Sequence, residues 1–305
     1  MLTPDEITEI YCIVDDFCLE IDQLVAKEAQ FHVNYSAYSL CPSEVICLLI
    51  CFQHSGFRNL KRFYIDFAQQ YLTREFPDLP SYNRFVELQA MSVYHHILFT
   101  KICCCQSCDG ISSFIDSFPL AVCHNKRIGQ HRVFKNIAQR GHTSMGFFYG
   151  FKGHIIINSQ CEIIDFLITT GNISDNHESV LKPLCRTIFG RIFGDKGYLI
   201  NAEKMAYFMN LGVRFISKIR KNMKNKLMNI QDKWLLKQRS IVETVIDQLK
   251  NIYQIHHTRH RSPVNFINNF LSAIGAYFFK PQKPKLRRKS YKNSSHSAQQ
   301  LLIQF

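Results

Sequence analysis

The chain changes texture once, near residue 111, and that change restricts the fold more than any other feature of the sequence. Before it, apolar residues recur at helical spacing, as in SEVICLLICFQHSGF and FRNLKRFYIDFAQQYL. Pro42 followed by Ser43 marks a helix start. Pro77 and Pro80 punctuate the end of that block, and SYNRFVELQAMSVYHHILFTKI reads as one more helix. After residue 111 come short runs rich in β-branched and aromatic residues: SSFIDSFPLAV, GFFYGFKGHIIIN and CEIIDFLITTG, with a hairpin turn at Asn158-Ser159-Gln160. SDNHESVLKPLC then reads as a helix capped by Ser174 or Asp175, and RIFGDKGYL as a strand leading to a turn at Gly197. NAEKMAYFMNLG is a helix from Asn201 to a stop at Gly212, VRFISKI a strand, and KWLLKQRSIVETVIDQLKNIY a single long amphipathic helix. The order predicts an α/β domain with a mixed sheet, preceded by a helical N-terminal domain. Three units follow: residues 1–100, helical; 101–279, α/β; and 280–305, a basic, flexible tail whose stretch KPQKPKLRRKSYKNSSHSAQQ has seven Lys/Arg and no acid.

Composition narrows the partners. With 305 residues, 46% hydrophobic and 20% charged, wholesale disorder is excluded. A net charge of +13 points to a polyanion, nucleic acid first and a membrane surface second. No apolar run approaches the roughly 20 residues of a membrane helix, and the acidic start MLTPDEITEIYCIVDDFCLEID lacks a secretory pattern. The twelve cysteines are scattered apart from Cys103, Cys104, Cys105 and Cys108, so reduced thiols in a cytoplasmic protein are expected. That cluster holds one CxxC spacing with no second pair, and it continues an apolar helix, where Cys serves as a small hydrophobe rather than a zinc ligand. No glycine-rich phosphate loop is present, which argues against an ATP-driven motor.

Three acids occupy unusual places. Asp116 lies inside the apolar run FIDSFPL, Asp195 ends RIFGDKGY, and Glu243 lies beside Ile241, Val242 and Val245. Taken singly, each reads as a cap or an ion-pair partner. Taken together at a sheet edge, they would repel one another and require a cation, and hard Mg²⁺ or Mn²⁺ prefers such oxygens. On an unbroken helix Arg239, Glu243 and Lys250 fall within about 40° of one another, a carboxylate flanked by two cations; a solvated face of i,i+4 pairs gives the same pattern.

FIDSFPLAVCHNKRI, TTGNISDNHE, FGDKGY and RSIVETVIDQLKNI followed by HTRHRS, in that order, resemble the DDE transposases of bacterial insertion sequences, most closely insertion-sequence family 982. The resemblance extends over nearly the whole chain, including FPDLPSYNRF. It implies a ribonuclease-H-like catalytic domain, with Asp116 on the first strand, Asp195 after the fourth and Glu243 on a later helix. These three would be the catalytic residues and would hold two Mg²⁺ ions, with Mn²⁺ as substitute. Related transposases carry a Tyr-x2-Arg-x3-Glu-x6-Lys signature on the Glu helix; Arg239, Glu243 and Lys250 match it, and Leu236 stands at the Tyr position. The gap of 48 residues between Asp195 and Glu243 is already filled by a helix, a strand and a helix, so no β-rich insertion fits there. For Asp175 the resemblance implies a cap or a support to the metal ligands. The implied activity is cleavage and strand transfer at terminal inverted repeats, by a homodimer acting on double-stranded end and target DNA in the bacterial cytoplasm. A metal-dependent nuclease of the same fold and a decayed, non-catalytic DNA-binding protein are the alternatives.

Positive runs flank these segments. RFISKIRKNMKNK at 214–226 contains six Lys/Arg, among them Arg220 and Lys221, and no acid. HHTRHRS adds Arg259 and Arg261, and Lys126, Arg127 and Arg132 follow the first Asp. Arg239, Lys250, Arg220, Lys221, Arg259 and Arg261 are the expected DNA contacts, with a steep salt dependence; solvated loops would look the same in sequence.

Overall fold

The computed structural model describes residues 2–29, 35, 38–108, 110–144, 146–218, 228–256 and 260–286. Arg220, Lys221, Arg259 and most of the basic tail lie outside the described residues.

Helices come first. α1 (Pro4–Ala29) and α2 (Pro42–Ser55) are followed by α3 (Leu60–Arg62) and α4 (Gln69–Tyr71), which flank a π-helical turn at Phe63–Ala68, and by α5 (Tyr82–Gln106). α2 starts with Pro42 in its first turn, and Glu44 accepts from the Cys41 N–H at 2.8 Å, as a capping box requires. α5 starts at the Ser81 cap and runs across residue 100.

The sheet then forms from β1 (Ser112–Cys123), β2 (Gln139–Thr143), β3 (Gly146–Ile157), β4 (Ile163–Thr170), β5 (Gly190–Gly194) and β6 (Val213–Ser217). β1 and β3 are antiparallel, with Asp116 opposite Ile155. β2 and β4 share the far edge of β3, one pairing with its first half and the other with its second. On the other side β5 runs parallel to β1, and β6 parallel to β5. This mixed α/β arrangement fits the ribonuclease-H-like domain expected from the sequence. β2 is an addition: QRGHT has neither the alternation nor the β-branched content that marks a strand, and it pairs because β3 offers an open edge.

α6 (Glu178–Leu184) lies between β4 and β5 and α7 (Ala202–Asn210) between β5 and β6, while α8 (Ile230–Gln238), α9 (Ile241–Asn251) and α10 (Pro263–Phe278) follow the last strand. α7 starts at Asn201, whose side chain accepts from the Lys204 N–H, and ends before Gly212 at φ +77°, a conformation in which glycine avoids the Cβ penalty. Two expectations are corrected. The cap of α6 is His177, not Ser174 or Asp175, because the Asp175 carboxylate is engaged elsewhere. The expected single long helix is two, α8 and α9. At the junction the Val242 N–H donates to Arg239 O at 3.1 Å, a tighter i→i+3 turn. The break lets each half dock separately. α8 packs on β5 and β6, where its buried Asp232 meets Arg191 at 2.9 Å, while α9 packs on β1.

Two apolar cores lie on opposite faces of the sheet. Phe114, Phe118 and Leu120 of β1 join a core continuous with the helices, and Ile115 joins a second core with α6 and α7 residues such as Val180 and Phe208. α10 returns to pack on α5 and α2. Its buried Asn268 donates to Gln89 O at 2.8 Å and meets His96 Nδ1 at 3.1 Å. Among the described residues no helix is long and apolar enough to cross a membrane.

Candidate active site

Strand alternation decides where the first acid points. Successive side chains leave a strand on opposite faces, so Asp116 shares the α9 face with Phe114 and Phe118, and Ser117 turns to the other. The parallel ladder between β1 and β5 pairs Phe114 with Phe193. The paired residues end there; continued two residues further, the same register would set Asp116 level with Asp195, and the two carboxylates act on one another electrostatically. Asp195 caps a short 3₁₀ turn, its Oδ1 accepting from the Gly197 N–H at 2.7 Å.

Arg239 completes the α9 face. Its Nη1 lies 3.3 Å from Asp116 Oδ2 and its Nη2 2.7 Å from Glu243 Oε1, so one guanidinium bridges two of the acids. Its side chain is 11% exposed, against 55% for Glu243. Burial pushes the Asp116 carboxyl up to about 6; the Ser117 N–H and Arg239 oppose that rise, and Asp195 and Glu243 add to it. Lys250, half-buried, lies 5.7 Å from the Phe118 ring centre, and burial lowers its pKa while Asp247 and Asp116 act the other way. Leu236 is buried next to Leu235, a packing residue of α8. Arg261 makes its contacts elsewhere, beside Tyr82 at the rim of a cleft between helices.

The opposite face carries residues that the sequence did not single out. Ser117 Oγ donates to Asp175 Oδ1 at 2.9 Å, and Lys152 Nζ donates to the same oxygen at 3.0 Å and to Ile173 O at 2.8 Å. Gly197 joins the two faces: a Cβ there would lie 2.9 Å from Asp195 Oδ1 and 3.3 Å from Asp175 Oδ2, so both carboxylates approach this turn closely. The Tyr198 ring is fully buried beside them; burial first, then Asp175 and Asp116, pushes its hydroxyl well above the ordinary tyrosine range. No sequence signal marks Ser117 or Lys152, because their partner lies 58 and 23 residues away.

The donor set on the α9 face is carboxylate oxygen throughout, which suits a hard divalent cation, and a cation already bridges Asp116 and Glu243 in the form of Arg239. Among the described residues no three His, Cys, Asp or Glu side chains converge closely enough to hold an ion together; Glu243 is drawn to the guanidinium. As it stands, the geometry couples Asp116 and Glu243 through Arg239 rather than through a shared ligand centre.

The sequence profile of the family described as "Transposase DDE domain" matches residues 105–263. No curated protein matches the chain. The profile spans β1 to β6, α8 and α9, and with them Asp116, Asp195, Glu243 and the arginine that bridges two of them. It covers more than half of the sequence, and the chain belongs to the transposase DDE domain family.

Proposed function

We propose that the protein cleaves DNA at the terminal inverted repeats of an insertion sequence of the family 982 type and joins the freed ends to target DNA, with Asp116, Asp195 and Glu243 as catalytic residues. What supports this reading is the arginine bridge from Asp116 to Glu243, together with the β1–β5 register, which continued two residues would bring Asp116 level with Asp195. The family acts on DNA through divalent metal ions. Two Mg²⁺ ions, with Mn²⁺ as substitute, would supply Lewis acidity to the scissile phosphate and a more acidic attacking hydroxyl. The protein's own residues do the rest. Asp116, Asp195 and Glu243 present oxygen ligands from β1, the β5 end and α9. Ser117 and Lys152 hold Asp175 behind Gly197, which keeps the Asp195 turn in place. Arg239, once released from the carboxylates, and Lys250 neutralise phosphates of the transposon end. Arg261, with Arg220, Lys221 and Arg259, extends the positive track, and the helical N-terminal domain, residues 1–100, binds the end. A homodimer synapses two ends in the bacterial cytoplasm.

The test is cleavage of a labelled duplex carrying the element's own terminal repeat, with Mg²⁺ or Mn²⁺, comparing wild type with Glu243→Ala. Nicking at the repeat boundary that requires both metal and Glu243 supports the reading. A second arm offers pre-cut ends: joined product is expected, and hydrolysis alone would leave a plain nuclease. Tight, salt-sensitive binding without cleavage would leave a decayed, binding-only protein.

A further inference from the structure

A cleft of about 690 Å³ opens between α2, α3, α5 and α10, a size typical of ligand sites. Its lining holds none of the acids on β1 and α9, and of its residues only Arg261 enters the proposed DNA track. Its walls combine three kinds of group. Tyr82, half-buried at the start of α5, presents an aromatic ring. Lys61 Nζ lies 5.9 Å from the centre of that ring, and Arg261 bears on its hydroxyl, so two exposed cations stand at one aromatic side chain. The one acid in the lining, Glu87, is neutralised by Arg84 at 2.8 Å. Deeper in, Gln53 and Gln89 are each 1% exposed. Gln53 Nε2 donates to Asn269 Oδ1 at 3.0 Å, which leaves Gln53 Oε1 without a hydrogen-bond partner among the described residues; Gln89 Nε2 is likewise without one.

A buried acceptor and a buried donor left unpaired cost stability in a closed protein. Both residues line the cleft, and a ligand edge that carries both senses of hydrogen bond would satisfy them. An aromatic wall favours a ring, and a cationic rim favours an anion attached to it. A nucleotide has all three features: a base edge with mixed donors and acceptors, a π-face that stacks on aromatic side chains, and a phosphate. In sequence Arg261 follows the segment that leaves the Glu243 helix, and its side chain lines the cleft.

We propose that this cleft takes one unpaired nucleotide of the DNA end, its base against Tyr82 and the Gln53 and Gln89 amides, and its phosphate at Lys61 and Arg261. The proposal rests on the transposase reading for the source of the nucleotide. In this role the cleft holds the end after strands have separated and is a positioning site, distinct from the acids that act on the phosphodiester.

The test places 5-iodo-deoxyuridine singly at each position of both strands of the terminal repeat, irradiates the complex and maps adducts by mass spectrometry. An adduct on the peptide carrying Tyr82, from positions close to the end only, is expected. Its yield falls at least about fivefold in Tyr82→Ala, since one lost base stack is worth roughly 1–3 kcal/mol. Lys61→Glu reverses an exposed rim charge that enters no core; it lowers the same yield severalfold with an unchanged circular dichroism spectrum. Adducts confined to other peptides while the duplex is bound would overturn the proposal, even if Glu243-dependent nicking is intact. An adduct at Tyr82 from free 5-iodo-deoxyuridine monophosphate, with none from any DNA, would also overturn it and assign the cleft to free nucleotides. Loss of nicking in Glu243→Ala is read separately, so failure of the cleft and failure of the transposase reading are distinguishable.

Discussion

Asp116 and Ser117 are neighbours on β1 and look into two different electrostatic environments. On the α9 face, Asp116 shares one arginine with Glu243 and is acted on electrostatically by Asp195, so carboxylates outnumber the cation that bridges them. On the other face, Asp175 receives Lys152 and Ser117, and its lysine is further held by Ile173 O. One face is left short of positive charge and the other is satisfied. The difference teaches where chemistry and where rigidity would be placed under the proposed function: oxygens left under-neutralised on one face suit the uptake of cations, and the strand beside them is pinned by a closed network.

The contrast can be tested from its strongest consequence downward. Glu243→Ala should reduce metal-dependent cleavage of the terminal repeat by about 10³-fold or more, with the denaturation midpoint nearly unchanged because the side chain is 55% exposed. A large loss of stability there would place Glu243 in the scaffold. Lys152→Met should do the reverse, costing roughly 2–3 kcal/mol in denaturant unfolding, since it strands a partly buried carboxylate; a cost near zero would show that the second face is not the rigid one.

The third test is pH. The folded Asp116 carboxyl titrates at about 6, above the ordinary Asp value near 3.9. Between those values the folded protein binds more protons than the unfolded chain, so this group makes stability fall as pH rises through the window. Asp116→Asn should remove that fall, roughly 1–3 kcal/mol, read from unfolding curves at pH 4 and pH 7; an unaltered slope would mean that burial does not govern the group. The smallest effect belongs to Arg239→Gln. Removing the guanidinium should move the Asp116 titration upward in carbon-13 NMR, and a downward shift would break the picture of a carboxylate held ionised by its arginine.

Much of this was legible in residues with local partners. β1, β3 and β4 announce themselves by β-branched runs, and the hairpin at Asn158 closes with its own N–H on Glu162 O at 2.9 Å. The positions of Asp116 and Asp195 follow from apolar strands that carry an acid. What was not legible depends on distance. Arg239 was placed on a continuous helix face, whereas it stands at a helix junction and reaches Asp116 across 123 positions. Asp175 looked like a helix cap because helix caps are local, and its actual partners come from β1 and β3. Strand β2 borrows its order from a neighbour's open edge, which no property of QRGHT encodes.

The return of α10 to the first helices carries a consequence for how the protein is made. Gln53 waits for Asn269 and His96 for Asn268, partners 216 and 172 residues downstream. Contacts so far apart form late, because the loop between them must close first. During synthesis at about 5–20 residues per second, the sheet strands leave the ribosome while the helical layer still lacks its last member. The α2–α5 groove then exposes apolar surface and buried-to-be amides to solvent or to a chaperone until α10 arrives. A nascent chain therefore acquires its cleft and closes its larger core in one late step.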